Sequence, residues 1–289
     1  MMASSTYANP RRGLLYVAIA VLFFSTTPVF IRWAGSISSY EITFWRLLSA
    51  AVMLRVVMWV RGERWTVPRM EWRMFAIFGL ITALHFLFYI ASLSFTTIAH
   101  SLAIVYTAPV FVALFSAIFL GEHIARRKWL GILLAVVGIG ILAGFQPHFT
   151  RSMLFGDLLA LGSAITFGLY SVAGRSQRDS HSLFNYAMTV YGAAALWALL
   201  PAVISFTPGG YTPTTILSVI ALGVLPLGIG HTLYNAALRY TNATYVNVIA
   251  TQEVTGGIIL GIILLGEMPG TNEIVGVLVT LLGILVVIL

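Results

Sequence analysis

No cysteine occurs in the 289 residues. Disulfides are therefore excluded, and so are Cys-ligated metal and iron–sulfur sites. Charge is scarce as well: Asp, Glu, Lys and Arg make up 9% of the chain, against 59% hydrophobic residues. A soluble domain of this size could not cover its surface with so few charges. Catalytic signatures are missing too. There is no HExxH, no GxSxG elbow and no paired acidic metal motif, and the histidines lack metal-ligand spacing. No catalytic residue, metal site or cofactor is therefore assigned. A membrane-embedded transferase stays as an alternative without a positive motif. A channel is disfavoured by the lack of charged rings or a repeated filter sequence.

What is present is a series of long apolar runs, so the class is an all-α polytopic membrane protein with the bilayer as its partner. The net charge of +7 invites nucleic acid as a partner. Basic loops on the cytoplasmic side account for it better, and no nucleic acid is expected.

The chain is organised around Thr241–Glu267, TNATYVNVIATQEVTGGIILGIILLGE. This stretch is apolar enough to span, yet it carries Asn247, Thr251, Gln252 and Glu253 near its middle. It has a twin 145 residues earlier, at Thr96–Glu122. Tyr234 falls on Tyr89, Thr241 on Thr96, Gly266-Glu267 on Gly121-Glu122, and Gly276 and Gly283 on Gly131 and Gly138. An internal repeat in a membrane chain points to transporter architecture.

Ten spans are expected. After a polar tail, 1–12, the first runs from Leu14 to Ile31, too long for the core of a signal peptide. Its Ser25, Thr26, Thr27 and Pro28 can open or kink it. The others are about Ile42–Val60, Trp72–Leu93, Ile98–Leu120 (broken by Pro109), Trp129–Phe145, Gly156–Ala173, Leu183–Phe206, Thr214–Leu238 (interrupted by Pro226, Gly228 and Gly230), Thr244–Leu265 and Ile274–Leu289. Arg46 and Arg55 lie close enough to the ends of the second span to snorkel.

With a cytoplasmic N-terminus, thirteen of the sixteen basic residues fall inside or near the inner face, and Arg32, Arg46 and Arg151 fall outside. Ten spans then bring the C-terminus inside too. Two units, 13–146 and 154–289, hold five spans each, an odd number, so the second enters the membrane the other way up. The loops agree: Glu122–Lys128 is basic, and Glu267–Glu273 has no basic residue. Inverted repeats place a site near the midplane and permit alternating access.

The candidate substrate-binding residues are His85, Tyr89, Tyr106, His231, Tyr234, Asn235, Asn247, Thr251 and Glu253. His231, Tyr234 and Asn235 share one helix face, as do His85 and Tyr89. Thr244, Asn247, Thr251 and Thr255 form a stripe that can equally well serve only to join helices. Tyr89 and Tyr234 can equally be interface anchors. Gly140/Gly144 and Gly257/Gly261 have the spacing of close helix packing. On a straight helix Glu253 faces about 180° from Thr244, at 100° per residue. Either Gly256-Gly257 distorts the helix or one set faces a neighbour. An ionised carboxyl in hydrocarbon is expensive, which favours a functional role for Glu253. The sequon Asn242-Ala243-Thr244 is disregarded, since its loop is expected in the cytoplasm.

The stretches Pro109–Glu122 with Gly131–Gly138, and Glu253–Glu267 with Gly276–Gly283, resemble the EamA-type members of the drug/metabolite transporter superfamily. Among these the whole chain is most similar to the YddG-type aromatic amino acid exporters. The resemblance implies a cavity between spans 1–4 and 6–9, with spans 5 and 10 peripheral. The halves differ at the midplane, with Val254 opposite Pro109 and Glu253 opposite Ala108. The expected function is an inner-membrane exporter of aromatic and other neutral amino acids, with a multidrug or other metabolite carrier as the alternative. Proton coupling and a homodimer are left open.

Overall fold

The computed structural model describes residues 9–96, 98–121, 125–143, 150–177, 179–266 and 270–288, so Glu122 and Glu267 lie outside the described residues. The described chain is helical, without strands. The helices are α1 (Pro10–Phe24), α2 (Thr27–Trp33), α3 (Ser39–Val60), α4 (Trp72–Ser92), α5 (Ile98–Val105), α6 (Ala108–Leu120), α7 (Arg126–Ala143), α8 (Arg151–Ser176), α9 (Leu183–Ile204), α10 (Pro213–Leu222), α11 (Thr232–Tyr240), α12 (Ala243–Ala250), α13 (Glu253–Leu265) and α14 (Thr271–Ile288). A wide π-helical segment, Gly223–His231, joins α10 to α11.

Among the described residues seven helical segments are long and apolar enough to cross a membrane: Pro10–Trp33, Ser39–Val60, Arg69–Ser92, Arg151–Ser176, Leu183–Ile204, Pro213–Tyr240 and Ala243–Leu265. Ala108–Leu120, Trp129–Gly138 and Ile274–Gly283 are shorter apolar helices. The fourth expected span is shortened because it is divided at Tyr106-Thr107, just ahead of Pro109. Proline lacks the N–H that would continue the ladder, and it is accepted near the start of a new helix.

The repeat is visible in the elements. α6 and α13 begin 145 residues apart, each after a two-residue break, and both end on a left-handed glycine, Gly121 at φ 64° and Gly266 at φ 69°. A residue with a Cβ is strained there. α3 and α9 are both 22 residues long and start behind serine N-caps, Ser38 and Ser182. Other positions are not repeated. The α1/α2 pair breaks at Ser25-Thr26, as the sequence predicts, while α8 runs unbroken for 26 residues. The π segment has no counterpart in α4.

The breaks pack against one another. A Cβ on Gly256 would fall 1.9 Å from Ser25 Oγ, so only glycine lets α13 meet the α1/α2 joint. Gly256 therefore serves close approach, a Cβ on Gly257 would meet only ordinary contacts of 3.4 Å or more, and the interruption of this span lies earlier, at Thr251-Gln252. The expected close packing at Gly140 is not found: a Cβ there would meet nothing within 4 Å, and Gly144 lies outside the described residues. α7 and α14 lie along one another at the edge of the bundle, linked to it through α5 and α12.

One end of the bundle is fastened by Glu41, which is buried. Its carboxylate accepts from Ser38 N–H (2.9 Å) and Ser38 Oγ (2.8 Å), closing a capping box at the start of α3. It also accepts from Thr207 N–H (3.1 Å), Thr207 Oγ1 (2.7 Å) and the Tyr211 hydroxyl (2.7 Å), all on the α9–α10 connection. Burial, then the bond to Glu41, raises the Tyr211 phenol above its ordinary range, which keeps it a donor.

Candidate functional site

Where the breaks converge there is a closed cavity of about 20 Å³, room for about one water. It is lined by residues of α1 to α4 (Phe24, Thr27, Arg46, His85, Phe86, Tyr89), of the α5/α6 joint (Val105, Tyr106), of α8 (Phe167), and of the π segment and the α12/α13 break (His231, Ala250, Glu253). Among the described residues, none of α7, α14 or α9 contributes to its wall. Most of the wall is aromatic. The His85 ring stacks on Phe167 with centroids 4.7 Å apart, and His231 lies between Phe24 (4.5 Å) and Phe86 (5.1 Å). Such contacts fix ring orientation beyond what area burial alone provides.

Glu253 is the first residue of α13 and accepts a hydrogen bond from the Tyr106 hydroxyl. A helix N-terminus favours a carboxylate, because unpaired N–H groups gather there. The break at Thr251-Gln252 also answers the angular conflict posed by a straight helix. Once the helix restarts, the 100° step is no longer continuous, and Asn247, Thr251 and Glu253 are all buried.

Of the nine sequence candidates, His85, Tyr89, Tyr106, His231 and Glu253 line the cavity. Tyr234, Asn235 and Asn247 form a separate polar cluster one helical turn away. There Tyr234 bonds Ser171 at 2.7 Å, the Asn247 amide reaches the Tyr234 hydroxyl at 3.4 Å, and the Asn235 amide donates to the Tyr170 hydroxyl at 2.7 Å. Thr251 donates to the Val248 carbonyl of its own helix at 2.6 Å. Asn242, the disregarded sequon residue, is buried and caps α12 through Thr244 N–H at 2.8 Å.

Arg46 corrects the sequence reading. It does not snorkel: it is 1% exposed, lines the cavity, and stands over the Phe86 ring at 4.2 Å. The physical reason is the helix start. The capping box begins α3 at Ser39, which places Arg46 two turns in and on the face shared with Ile42, Thr43 and Ala50. A Ser-x-x-Glu signature at Ser38–Glu41 was the available signal. Phe24, Phe86 and Phe167 were missed as well, since aromatic residues in an apolar run carry no individual mark.

The profile of the EamA-like transporter family matches residues 11–144 and again 154–289. The chain belongs to the EamA-like transporter family. Several relatives align along nearly its whole length. A transporter of uncharacterised role from Archaeoglobus fulgidus is 25% identical over 276 residues, 96% of each chain. The pseudopaline exporter CntI of Pseudomonas aeruginosa is 26% identical over 282 residues, 96% of this chain and 94% of that one. One crystal structure superposes with a TM-score of 0.78 at 21% identity, covering 95% of each chain, a likeness of fold alone. This EamA-like protein is thus a multi-pass membrane transporter and not an enzyme, and its central cavity carries a carboxyl and a guanidinium among aromatic rings.

Proposed function

We propose that this transporter exports aromatic and other neutral amino acids, as the YddG-type exporters do, from the inner membrane. Its ten spans form two inverted five-helix repeats, 13–146 and 154–289, with both termini in the cytoplasm. The observation that carries the substrate reading is the closed cavity, where Arg46 and Glu253 offer both signs of charge among Phe24, Phe86 and Phe167. A zwitterion with an apolar side chain complements such a site in charge and in the apolar character of its wall, and the cavity, which holds about one water, must widen to admit it. Alternating access is supported by helix breaks that meet at the cavity, where discontinuous helices commonly bind substrate. Glu253 is then a ligand for the ammonium group or a proton carrier.

Purified protein in liposomes, loaded with L-phenylalanine and tested for counterflow, checks the assignment. Counterflow of phenylalanine and other neutral amino acids is expected. Movement of sugars or nucleotides with no neutral amino acid moved would sink the substrate while leaving the transporter class intact. The second reading, a carrier of another metabolite, is favoured by the relative named a pseudopaline exporter.

A further inference from the structure

The Arg46 guanidinium is fully buried, yet Nε and Nη1 find no hydrogen-bond partner among the described residues. Buried polar groups in folded proteins are almost always paired, and leaving a charged one unpaired is costly. Glu253 does not relieve it, because no direct ion pair joins the two; the Glu253 carboxylate takes its hydrogen bond from Tyr106 instead. Phe86 covers a face of the guanidinium plane, which leaves the N–H edges as the free part. Two more polar atoms at the same wall are also without partners, the Tyr89 hydroxyl and His231 Nδ1. The wall therefore holds a surplus of unpartnered donors on Arg46 and Tyr89, while one oxygen of its Glu253 carboxyl already accepts from Tyr106.

A ligand that answers this surplus must bring acceptors and a negative charge. A carboxylate brings two oxygens with about four lone-pair positions, and its spacing matches the arginine fork. We propose that Arg46 anchors the carboxylate of the transported substrate through two of its N–H groups, with the Tyr89 hydroxyl as a further donor. This rests on the cavity being the transport site. It also makes a division of labour. Arg46 selects for a carboxylate, Glu253 accepts an ammonium group, and the aromatic rings hold the apolar part.

Three probes that share a phenyl group separate these roles: L-phenylalanine, 3-phenylpropanoate (no ammonium) and 2-phenylethylamine (no carboxylate). Binding to the purified full chain is measured by thermal shift and by competition in liposomes. Wild type is expected to bind the two carboxylates about 10- to 100-fold more tightly than the amine, the range given by a bidentate charged contact. Arg46→Gln is expected to remove that preference. Arg46→Lys, which keeps the charge and loses the fork, is expected to recover only a minor part of it. The probe series on wild type needs no variant to fold. Equal binding of amine and amino acid overturns the proposal, and so does an Arg46→Gln protein that binds phenylalanine within about threefold of wild type. Should phenylalanine fail to be transported while 3-phenylpropanoate binds in an Arg46-dependent way, the amino acid reading falls and the anchor stands. Should phenylalanine be transported equally by wild type and Arg46→Gln, the anchor falls and the amino acid reading stands. If no carboxylate binds at all, both fall.

Discussion

Glu41→Gln should unfasten one end of the bundle without touching the cavity. Among the donors to the carboxylate, the backbone N–H groups of Ser38 and Thr207 cannot turn away as hydroxyls can. They reach different oxygens, Ser38 on Oε2 and Thr207 on Oε1. Glutamine converts one of those oxygens to an NH2 group, so a fixed donor faces a donor whichever way the amide is placed. A buried unsatisfied donor costs about 1–3 kcal/mol, and the surviving bonds lose charge assistance, so the total is roughly 3 kcal/mol. That converts to on the order of 100-fold in the equilibrium that parts the α9–α10 connection from α3. The chain has no cysteine, so Thr27→Cys supplies a single thiol in the cavity wall. With Glu41→Gln added, the thiol should react with a soluble maleimide tens of times faster, roughly 10- to 100-fold. If Glu41→Gln does not fold, Tyr211→Phe removes two bonds, the one to Glu41 and the one accepted from Trp45 Nε1 at 3.0 Å, and should give a rise of severalfold to tens of times, from about 1–2 kcal/mol. Equal labelling rates with and without the substitutions would show that this cluster does not hold that end shut.

Glu253→Gln should abolish uphill transport and keep substrate exchange if Glu253 carries a proton, and lower both if it binds an ammonium group; rates equal to wild type at every pH would reduce Glu253 to packing. Gly256→Ala places a Cβ 1.9 Å from Ser25 Oγ. The melting temperature should drop by the equivalent of about 1–3 kcal/mol, and Ser25→Gly in the same chain should restore most of it; an unchanged melting point for the single variant refutes the close approach. Ala125→Cys should be protected from an impermeant thiol reagent on intact cells and Thr271→Cys labelled, and the opposite pattern overturns the proposed orientation.

Local chemistry made several features legible before any coordinates. The Ser25–Pro28 group and Pro109 mark two breaks that occur close to where they are written. Glu253 stood out because a carboxyl inside an apolar run has few structural uses. The break at Thr251-Gln252 was hidden, since the second half has Val254 where the first has Pro109, and no other residue type announces a restart. Arg46 was misread because a helix start misplaced by three residues turns an interior guanidinium into a surface one. Tyr234 and Asn235 do share a face with His231, but a face extends along an axis. One turn carried them out of the cavity and into contact with Ser171 and Tyr170.

The unequal breaks have a consequence for direction. Under the proposed inverted-repeat, alternating-access reading, two identical repeats would swap conformations and turn the inward-open form into the outward-open form at no change in energy. Here the first half carries the Ser25-Thr26 joint and the second carries the π segment Gly223–His231, each without a counterpart. The two open forms are then chemically distinct states with different free energies. A carrier that rests mostly in one of them presents a different half-saturating concentration to each side of the membrane. Rectification of this kind needs no dedicated gate residue; it follows from where each helix is allowed to bend.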